Sequence, residues 1–262
     1  MRTLLKKKLL TPVQQALKPD LVQFLMNLLA FDTSTDQMSM AVQRAAHGAE
    51  PLQVWQLTAA GGAQTSAHLI PALQGLMAQA QLSFDQLDAI VFGHGPGSFT
   101  GLRTACAVAQ GLGFGAKVPV LPVDTLLTVA EEARFLYAAD QANYPVVALL
   151  DARMDEMYAS RYVFSSGVWT QTQAHTLMSP DQLACEAEDT VAGNVFAPYG
   201  PRLSATQAQR VEALPTATAL LRLAPALLAA GGAMAADQAL PLYVRDKVAK
   251  TTAERAAEKA AL

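Results

Sequence analysis

The residues of this chain best suited to chemistry lie in a glycine-rich segment, residues 93–103, with the sequence GHGPGSFTGLR. An apolar run that predicts a strand precedes it, and a run of small and apolar residues that predicts a helix follows it. Glycines allow backbone conformations closed to other residues, and the amides at a helix start attract anions. The segment therefore predicts either a phosphate or nucleotide loop centred on Gly95, Gly97 and Ser98, or a tight turn in which Gly101 lets the helix pack closely.

The spacing of these residues excludes three common motifs. No Gly-Lys-Ser/Thr follows, as a Walker phosphate loop requires, and the glycine pattern from Gly95 is one residue too long for the dinucleotide fingerprint. Glycines do not flank Ser98 two positions away on both sides, so the segment is not a nucleophile elbow.

Two aspartates end the apolar runs that open each half of the chain. Asp32 and Asp151 are each followed by a short polar turn and a second strand-like run. The same spacing relates two further pairs, Asp36 to Asp155 and Met38 to Met157. The repeated pattern predicts two structurally similar lobes. Either acid could organise a metal-bound nucleotide, but neither is followed by the glycine that close approach of phosphate requires. We therefore interpret both as binding the amides of the turns that follow them.

Strand-like and helical runs alternate along the chain, which predicts the α/β class. We expect a first lobe over residues 27–138 and a second over residues 139–245, with a C-terminal helix able to pack back on the first lobe. Residues 246–262 are rich in Ala, Glu and Lys and are expected to form a solvated helix or a disordered tail.

Residues 1–26 do not fit the pattern of the fold. They carry a net charge of +4, so the remaining residues of this −3 chain carry −7. We expect an upstream extension with the natural start at Met26; the alternative is a basic amphipathic arm that docks on a partner. The acidic body lacks the basic face that RNA phosphates require, so any contact with RNA is expected to be indirect.

The composition gives two further expectations. Cys106 and Cys185 show neither metal-binding nor disulfide spacing, as expected in a reducing cytoplasm. No apolar run approaches the roughly 20 residues needed to cross a bilayer, so we expect a soluble cytoplasmic protein with no membrane partner.

Four segments carry a resemblance to a known family. They are residues 29–35 (LAFDTST), 93–103 (GHGPGSFTGLR), 151–158 (DARMDEMY) and 240–245 (LPLYVR). In this order they resemble the conserved segments of the TsaB (YeaZ) family, and residues 1–26 depart from its pattern. The resemblance implies an actin-like (ASKHA) fold with two ribonuclease-H-like lobes. It also implies a role beside TsaD, the transferase that attaches threonylcarbamoyl to the tRNA adenosine next to the anticodon, and beside the ATPase TsaE.

The resemblance further implies that this chain is not the catalyst. In the related transferase, two histidines four residues apart on one helix hold a metal, whereas Thr125 and Val129 occupy the corresponding positions here. The remaining histidines, His47, His68, His94 and His175, show no ligand spacing. We therefore expect no metal, no cofactor and no transferase activity of the chain alone.

A subunit of this kind needs a docking surface, and the resemblance places partner pairing on the first two helices. We assign the interface to their apolar and small residues, which are Leu69, Leu73, Leu76, Met77, Leu102, Ala105, Ala109 and Gly113. The alternative is that these residues pack internally, as the core-facing stripes of the two helices. The same face is expected to form a homodimer in isolation and a heterodimer with the transferase.

Two other functions remain as alternatives. An ATP-dependent phosphotransferase of the actin-like fold would use Asp32 or Asp151 at a metal. A hydrolase would use Ser98 or His94, although no base and orienting residue accompany them in the sequence.

Overall fold

The computed structural model describes residues 26–46, 51–186, 188–203 and 208–245. Within them the chain forms two five-stranded mixed sheets joined by helices. The expected tail, His47 and all but the last residue of the expected extension lie outside the described residues. Met26 lies directly before the first strand and is fully buried.

The first sheet is built around a hairpin and two parallel strands. Its strands are β1 (Leu28–Asp32), β2 (Gln37–Arg44), β3 (Gln53–Ala60), β4 (Ala89–Gly95) and β5 (Val120–Asp124), in the order β3-β2-β1-β4-β5. β1 pairs antiparallel with β2 and parallel with β4. Helices α1 (Thr65–Gln79) and α2 (Phe99–Ala116) cover one face, where their apolar stripes meet Phe31 and Phe92.

The second sheet repeats this topology. Its strands are β6 (Asn143–Arg153), β7 (Glu156–Ser165), β8 (Val168–Met178), β9 (Thr190–Gly193) and β10 (Gln209–Glu212), in the order β8-β7-β6-β9-β10. β6 pairs antiparallel with β7 and parallel with β9, as β1 does with β2 and β4. A short helix, α4 (Phe196–Tyr199), follows β9. The prediction of two similar lobes in an α/β, actin-like architecture is therefore confirmed.

Two helices pack across the expected division between the lobes. Helix α3 (Thr125–Tyr137) lies before residue 138, yet its buried face, including Val129 and Ala133, packs against β6 and the second sheet. Helix α5 (Ala217–Ala229) comes late in the chain, but packs against β1, β2, β4 and β5 of the first sheet. The expected boundary after residue 138 thus disagrees with the packing of α3, because the sequence order of a helix does not determine which sheet covers its apolar face.

A buried carboxylate links α3 to α5 and to the second sheet through hydrogen bonds. Glu131 of α3 is almost fully buried and accepts hydrogen bonds from Arg134, from Nε1 of Trp169 at 3.0 Å and from Nε of Arg222 at 2.8 Å. Arg222 also bonds Glu132. A buried carboxylate is tolerated where donors satisfy its oxygens, so this network links elements of both lobes.

The sequence pattern missed β3, β8, β9 and β10. For residues 240–244 it predicts a closing strand or an extended segment, and the chain there is extended without sheet pairing. Pro225 lies inside α5 without ending it. Among the described helices, none is both long and apolar enough to cross a membrane.

Candidate functional site

The glycine-rich segment leaves β4 and enters α2, and it packs against the turn between β1 and β2. The amide of Ser98 donates to the carbonyl of Ser34 at 2.7 Å, and Oγ1 of Thr33 donates to the carbonyl of Gly101 at 2.8 Å. Ser98 is the N-cap residue of α2 but accepts no capping bond through its side chain. The chain's own hairpin turn therefore lies against the start of α2.

The glycines of this segment are required by that packing. A Cβ on Gly97 would lie 2.6 Å from Cβ of Ser34, and one on Gly101 would lie 1.9 Å from the carbonyl oxygen of Thr33. At Gly95, where φ is +128°, a Cβ would lie 2.4 Å from the carbonyl oxygen of Leu242. The space beside all three glycines is filled by protein atoms, which favours the tight-turn interpretation over the phosphate loop.

Asp32 lies at the end of β1 and is 1% exposed. Its Oδ1 accepts bonds from the amide of Ser34 at 2.8 Å and from Oγ of Ser34 at 2.6 Å. Its Oδ2 has no hydrogen-bond partner among the described residues and lies against Gly93. Burial raises the pKa of Asp32 to about 6, against the opposing effect of the Ser34 bonds. The acid serves the turn that follows it, as interpreted from the sequence.

Asp151 has an equivalent place at the second hairpin, but it is partly exposed. Its Oδ1 accepts from the amide of Arg153 at 2.8 Å and from the hydroxyl of Tyr199 at 2.8 Å, and its Oδ2 lies 3.0 Å from the guanidinium of Arg153. Burial and the bond to Asp151 raise the pKa of Tyr199 to about 12. Arg153 also pairs with Asp36 and so connects the two hairpins.

A cavity of about 250 Å³ lies between the lobes at these hairpins. It brings together Gly97, Ser98 and Asp151 from the predicted site, whereas Gly95 and Asp32 are buried behind its wall. Residues that the sequence did not assign to a site complete the lining, among them Asn194, Tyr243 and Arg245. Tyr243 and Arg245 belong to one of the four segments that carry the family resemblance, whereas nothing in the sequence around Asn194 signals its position.

Comparison with known proteins identifies the family. The family model described as "TsaD: tRNA N6-adenosine threonylcarbamoyltransferase" matches residues 60–260. The chain is 31% identical over 234 residues to the tRNA threonylcarbamoyladenosine biosynthesis protein TsaB of Haemophilus influenzae, covering 85% of this chain and 95% of that protein.

The chain belongs to the TsaB (YeaZ) family. The TsaB protein of Escherichia coli is 28% identical over 233 residues, covering 86% of this chain and 96% of that protein. The solved structure of YeaZ from Pseudomonas aeruginosa superposes with a TM-score of 0.72 at 33% identity, and the match covers 84% of this chain and 100% of that chain.

Thr125 and Val129, which the sequence resemblance matches to a metal-binding histidine pair, have other contacts in this TsaB-family chain. Oγ1 of Thr125 accepts the amide of Gly95 at 3.1 Å, and Val129 is fully buried in the apolar cluster of the second lobe. In the part of the chain that the structure describes, no group of three His, Cys, Asp or Glu side chains could hold a metal ion.

The assignment of interface residues from the sequence requires correction. The side chains assigned to partner contact are all buried inside this TsaB-family fold: Leu69, Leu73, Leu76, Met77, Leu102, Ala105, Ala109 and Gly113. Their stripe meets the first sheet because that sheet needs an apolar cover. A Cβ on Gly113, for example, would lie 2.7 Å from Cγ1 of Val120.

The outer face of α1 and α2 is formed by other residues. Helix α1 has no charged residue, and the one charge in α2, Arg103, stacks on Phe99 and donates to the hydroxyl of Tyr243 at 2.9 Å. Phe114 is 81% exposed. An open cavity of about 360 Å³ is lined by Gly111 and Gly115 of the same helix, together with Phe84 and Asp85 among others. A face with few charges and an exposed aromatic ring is typical of a protein-binding surface.

Proposed function

We propose that this chain is a non-catalytic scaffold subunit of tRNA threonylcarbamoyladenosine biosynthesis. In this proposal a TsaD-type transferase requires it in order to transfer threonylcarbamoyl from threonylcarbamoyl-adenylate to N6 of the tRNA adenosine next to the anticodon. The observation that carries the proposal is the outer face of α1 and α2, whose one charged side chain is Arg103, on a family member whose glycine loop is filled by its own chain.

Three glycines on that face support docking. Gly75, Gly111 and Gly115 lie inside helices, and a Cβ added to any of them would meet nothing within 4 Å. Glycine inside a helix costs about 0.5–1 kcal/mol relative to alanine. Since neither backbone conformation nor internal packing requires these glycines, close approach of another protein's backbone accounts for them.

The lack of catalysis is supported by the contacts of the residues that would carry it. Thr125 and Val129 stand where the transferase's histidines are expected, and both are engaged in packing. Asp32 has no exposed surface for a metal-bound nucleotide. We therefore assign the chain no metal and no cofactor, and we assign catalysis to the TsaD-type subunit and ATP hydrolysis to a TsaE-type partner.

The partners follow from the same face and from the charge. The outer face of α1 and α2 pairs with the TsaD-type subunit in a heterodimer, and with a second copy of this chain when the transferase is absent. The net charge of −7 outside residues 1–26 opposes direct tRNA binding, so tRNA is held by the transferase. The proposed location is the cytoplasm, where the tRNA substrate is found.

Reconstitution tests the proposal. Purified TsaD-type and TsaE-type subunits, supplied with threonylcarbamoyl-adenylate, ATP and tRNA, are expected to form modified adenosine, measured by mass spectrometry, only when this chain is added. Ala107→Glu places a charge on the outer face of α2, and Ala226→Glu places one at an exposed position of α5 as a matched control. We expect Ala107→Glu to bind the transferase at least tenfold more weakly than wild type. The control variant should bind it as tightly as wild type.

The outcomes separate the parts of the proposal. Equal pairing by both variants would remove the α1–α2 face from the interface. Modification of tRNA by this chain alone would show that it is catalytic. Magnesium-dependent ATP binding by the isolated chain would favour the phosphotransferase alternative.

A further inference from the structure

A polar cluster away from the interlobe cavity joins the two lobes. Asp124 ends β5 and caps α3, since its Oδ1 accepts the amide of Leu126 at 2.9 Å. Its Oδ2 faces the second lobe, where it accepts from the hydroxyl of Tyr162 on β7 and from Nε2 of His175 on β8 at 2.9 Å. One carboxylate oxygen of the first lobe thus holds two donors of the second.

His94 connects the same cluster to the end of the described chain. Its ring hydrogen-bonds to the backbone of Leu240 and interacts electrostatically with Asp124 and His175. Its carbonyl oxygen accepts the amide of Leu242 at 2.7 Å. We call residues 240–245 the strap. The strap begins beside His94 and lines the interlobe cavity. It ends at Arg245, which pairs with Glu156 of the second lobe.

We infer that Asp124, His94, Tyr162 and His175 form a proton-linked latch that keeps the lobes and the strap together, with His175 carrying the proton. The cluster's position between β5, β7, β8 and the strap supports the inference. Separating the lobes would leave the carboxylate of Asp124 without two of its donors, at a cost that depends on the charge of His175.

Only one of the two histidines is suited to carry the proton. The bond to Asp124 raises the pKa of His175 despite its partial burial. Burial lowers the pKa of His94, and the neighbouring His175 lowers it further, against the attraction of Asp124. Burial and the negative charge of Asp124 raise the pKa of Tyr162 far above its ordinary value, so its hydroxyl remains a neutral donor. Among the described residues, Asp124 and Tyr162 contact His175, and His94 interacts with it electrostatically.

The direction of the pH dependence follows from these shifts. The contribution of His175 is fully present below the ordinary histidine pKa of 6.5 and is lost as the pH rises through its raised folded value. His94 acts in the opposite direction: its lowered pKa means that protonating it opposes the folded state as the pH falls below 6.5. The latch is therefore strongest near neutral pH and weakens on the alkaline side.

The test compares His175→Gln with wild type in urea unfolding from pH 6 to pH 9. Glutamine can donate to Asp124 but does not titrate. The ratio of the unfolding equilibrium constants, variant over wild type, should fall with rising pH by about tenfold for each unit by which the fold raises the pKa of His175. His68→Gln, on the exposed side of α1, serves as the matched control and should give a flat ratio.

A second measurement keeps the inference testable if the variant does not fold. In the wild type, the histidine NMR resonances are titrated while hydrogen-exchange protection of the Leu242 amide is followed. We expect protection, corrected for intrinsic exchange, to decrease along the titration curve of His175. The inference would be overturned if the ratio of unfolding constants for His175→Gln did not change with pH. It would also be overturned if exchange protection of the Leu242 amide did not follow the titration of His175.

Discussion

The substitution Asp32→Asn tests whether ionisation of the buried carboxyl at the end of β1 destabilises the folded protein. Burial raises the pKa of Asp32 from 3.8 to about 6. At about 1.4 kcal/mol per unit, this shift corresponds to about 3 kcal/mol. Because the unfolded chain ionises at the lower pH, wild-type stability should fall by this amount as the pH rises from about 4 to beyond 6. Asparagine does not ionise, and it keeps an oxygen for both bonds from Ser34.

We therefore expect Asp32→Asn to be nearly as stable as wild type at pH 4 and more stable by up to about 3 kcal/mol at pH 8. Urea unfolding followed by circular dichroism at several pH values measures the difference, and Asp140→Asn removes an exposed carboxyl as a control. A difference that did not change with pH would refute the reasoning. If magnesium and ATP stabilised wild type but not the variant, Asp32 would instead be a ligand-binding acid.

Three further substitutions test the packing. Glu131→Ala should lower the free energy of unfolding by about 3–5 kcal/mol in urea titrations, because it leaves the partly buried donors of Arg222 and Trp169 without their acceptor. Gly101→Ala should lower it by about 1–3 kcal/mol, since the new Cβ would overlap the carbonyl oxygen of Thr33. Gly111→Ala should have the opposite effect in thermal melts, a gain of about 0.5–1 kcal/mol, while weakening pairing with the transferase; unchanged pairing would mean that this glycine does not contact the partner.

The parts of the fold that could be predicted from sequence are those in which buried residues form a recognisable local pattern of apolar residues. The runs ending at Asp32 and Asp151 are apolar throughout and form the central strands β1 and β6. Strand β8 was missed because its exposed stretch, TQTQ, has no apolar alternation; pairing with β7 holds it in place. Strand β3 is an edge strand that covers the core on one face only, through Trp55 and Ala59, so its pattern is similarly weak.

The sites were harder to predict because they depend on contacts distant in sequence. Helical periodicity correctly identified the apolar stripes of α1 and α2, but periodicity does not tell whether a stripe meets its own sheet or a partner. His94 and His175 show no ligand spacing in the sequence, and only the tertiary fold brings both of them to Asp124 at the end of β5. Assigning Ala109 to partner contact failed for the same reason, and Ala107, two residues earlier, is the outward position.

The glycines of this chain fall into two groups, according to whether the space that a Cβ would occupy is filled by the protein or open. A loop built to bind phosphate leaves the space beside its glycines empty for the ligand, since that space is the reason for the missing side chain. Here an added Cβ would meet protein atoms closer than 3 Å at every glycine from the β4 end to the start of α2, which are Gly93, Gly95, Gly97 and Gly101. On the outer helix faces the spaces are open, at Gly75, Gly111 and Gly115. The space beside glycine is therefore filled in the glycine-rich segment and open on the outer helix faces. The chain itself fills the spaces beside the glycines of the loop, and the open spaces on the outer face of α1 and α2 are where we propose that a partner packs.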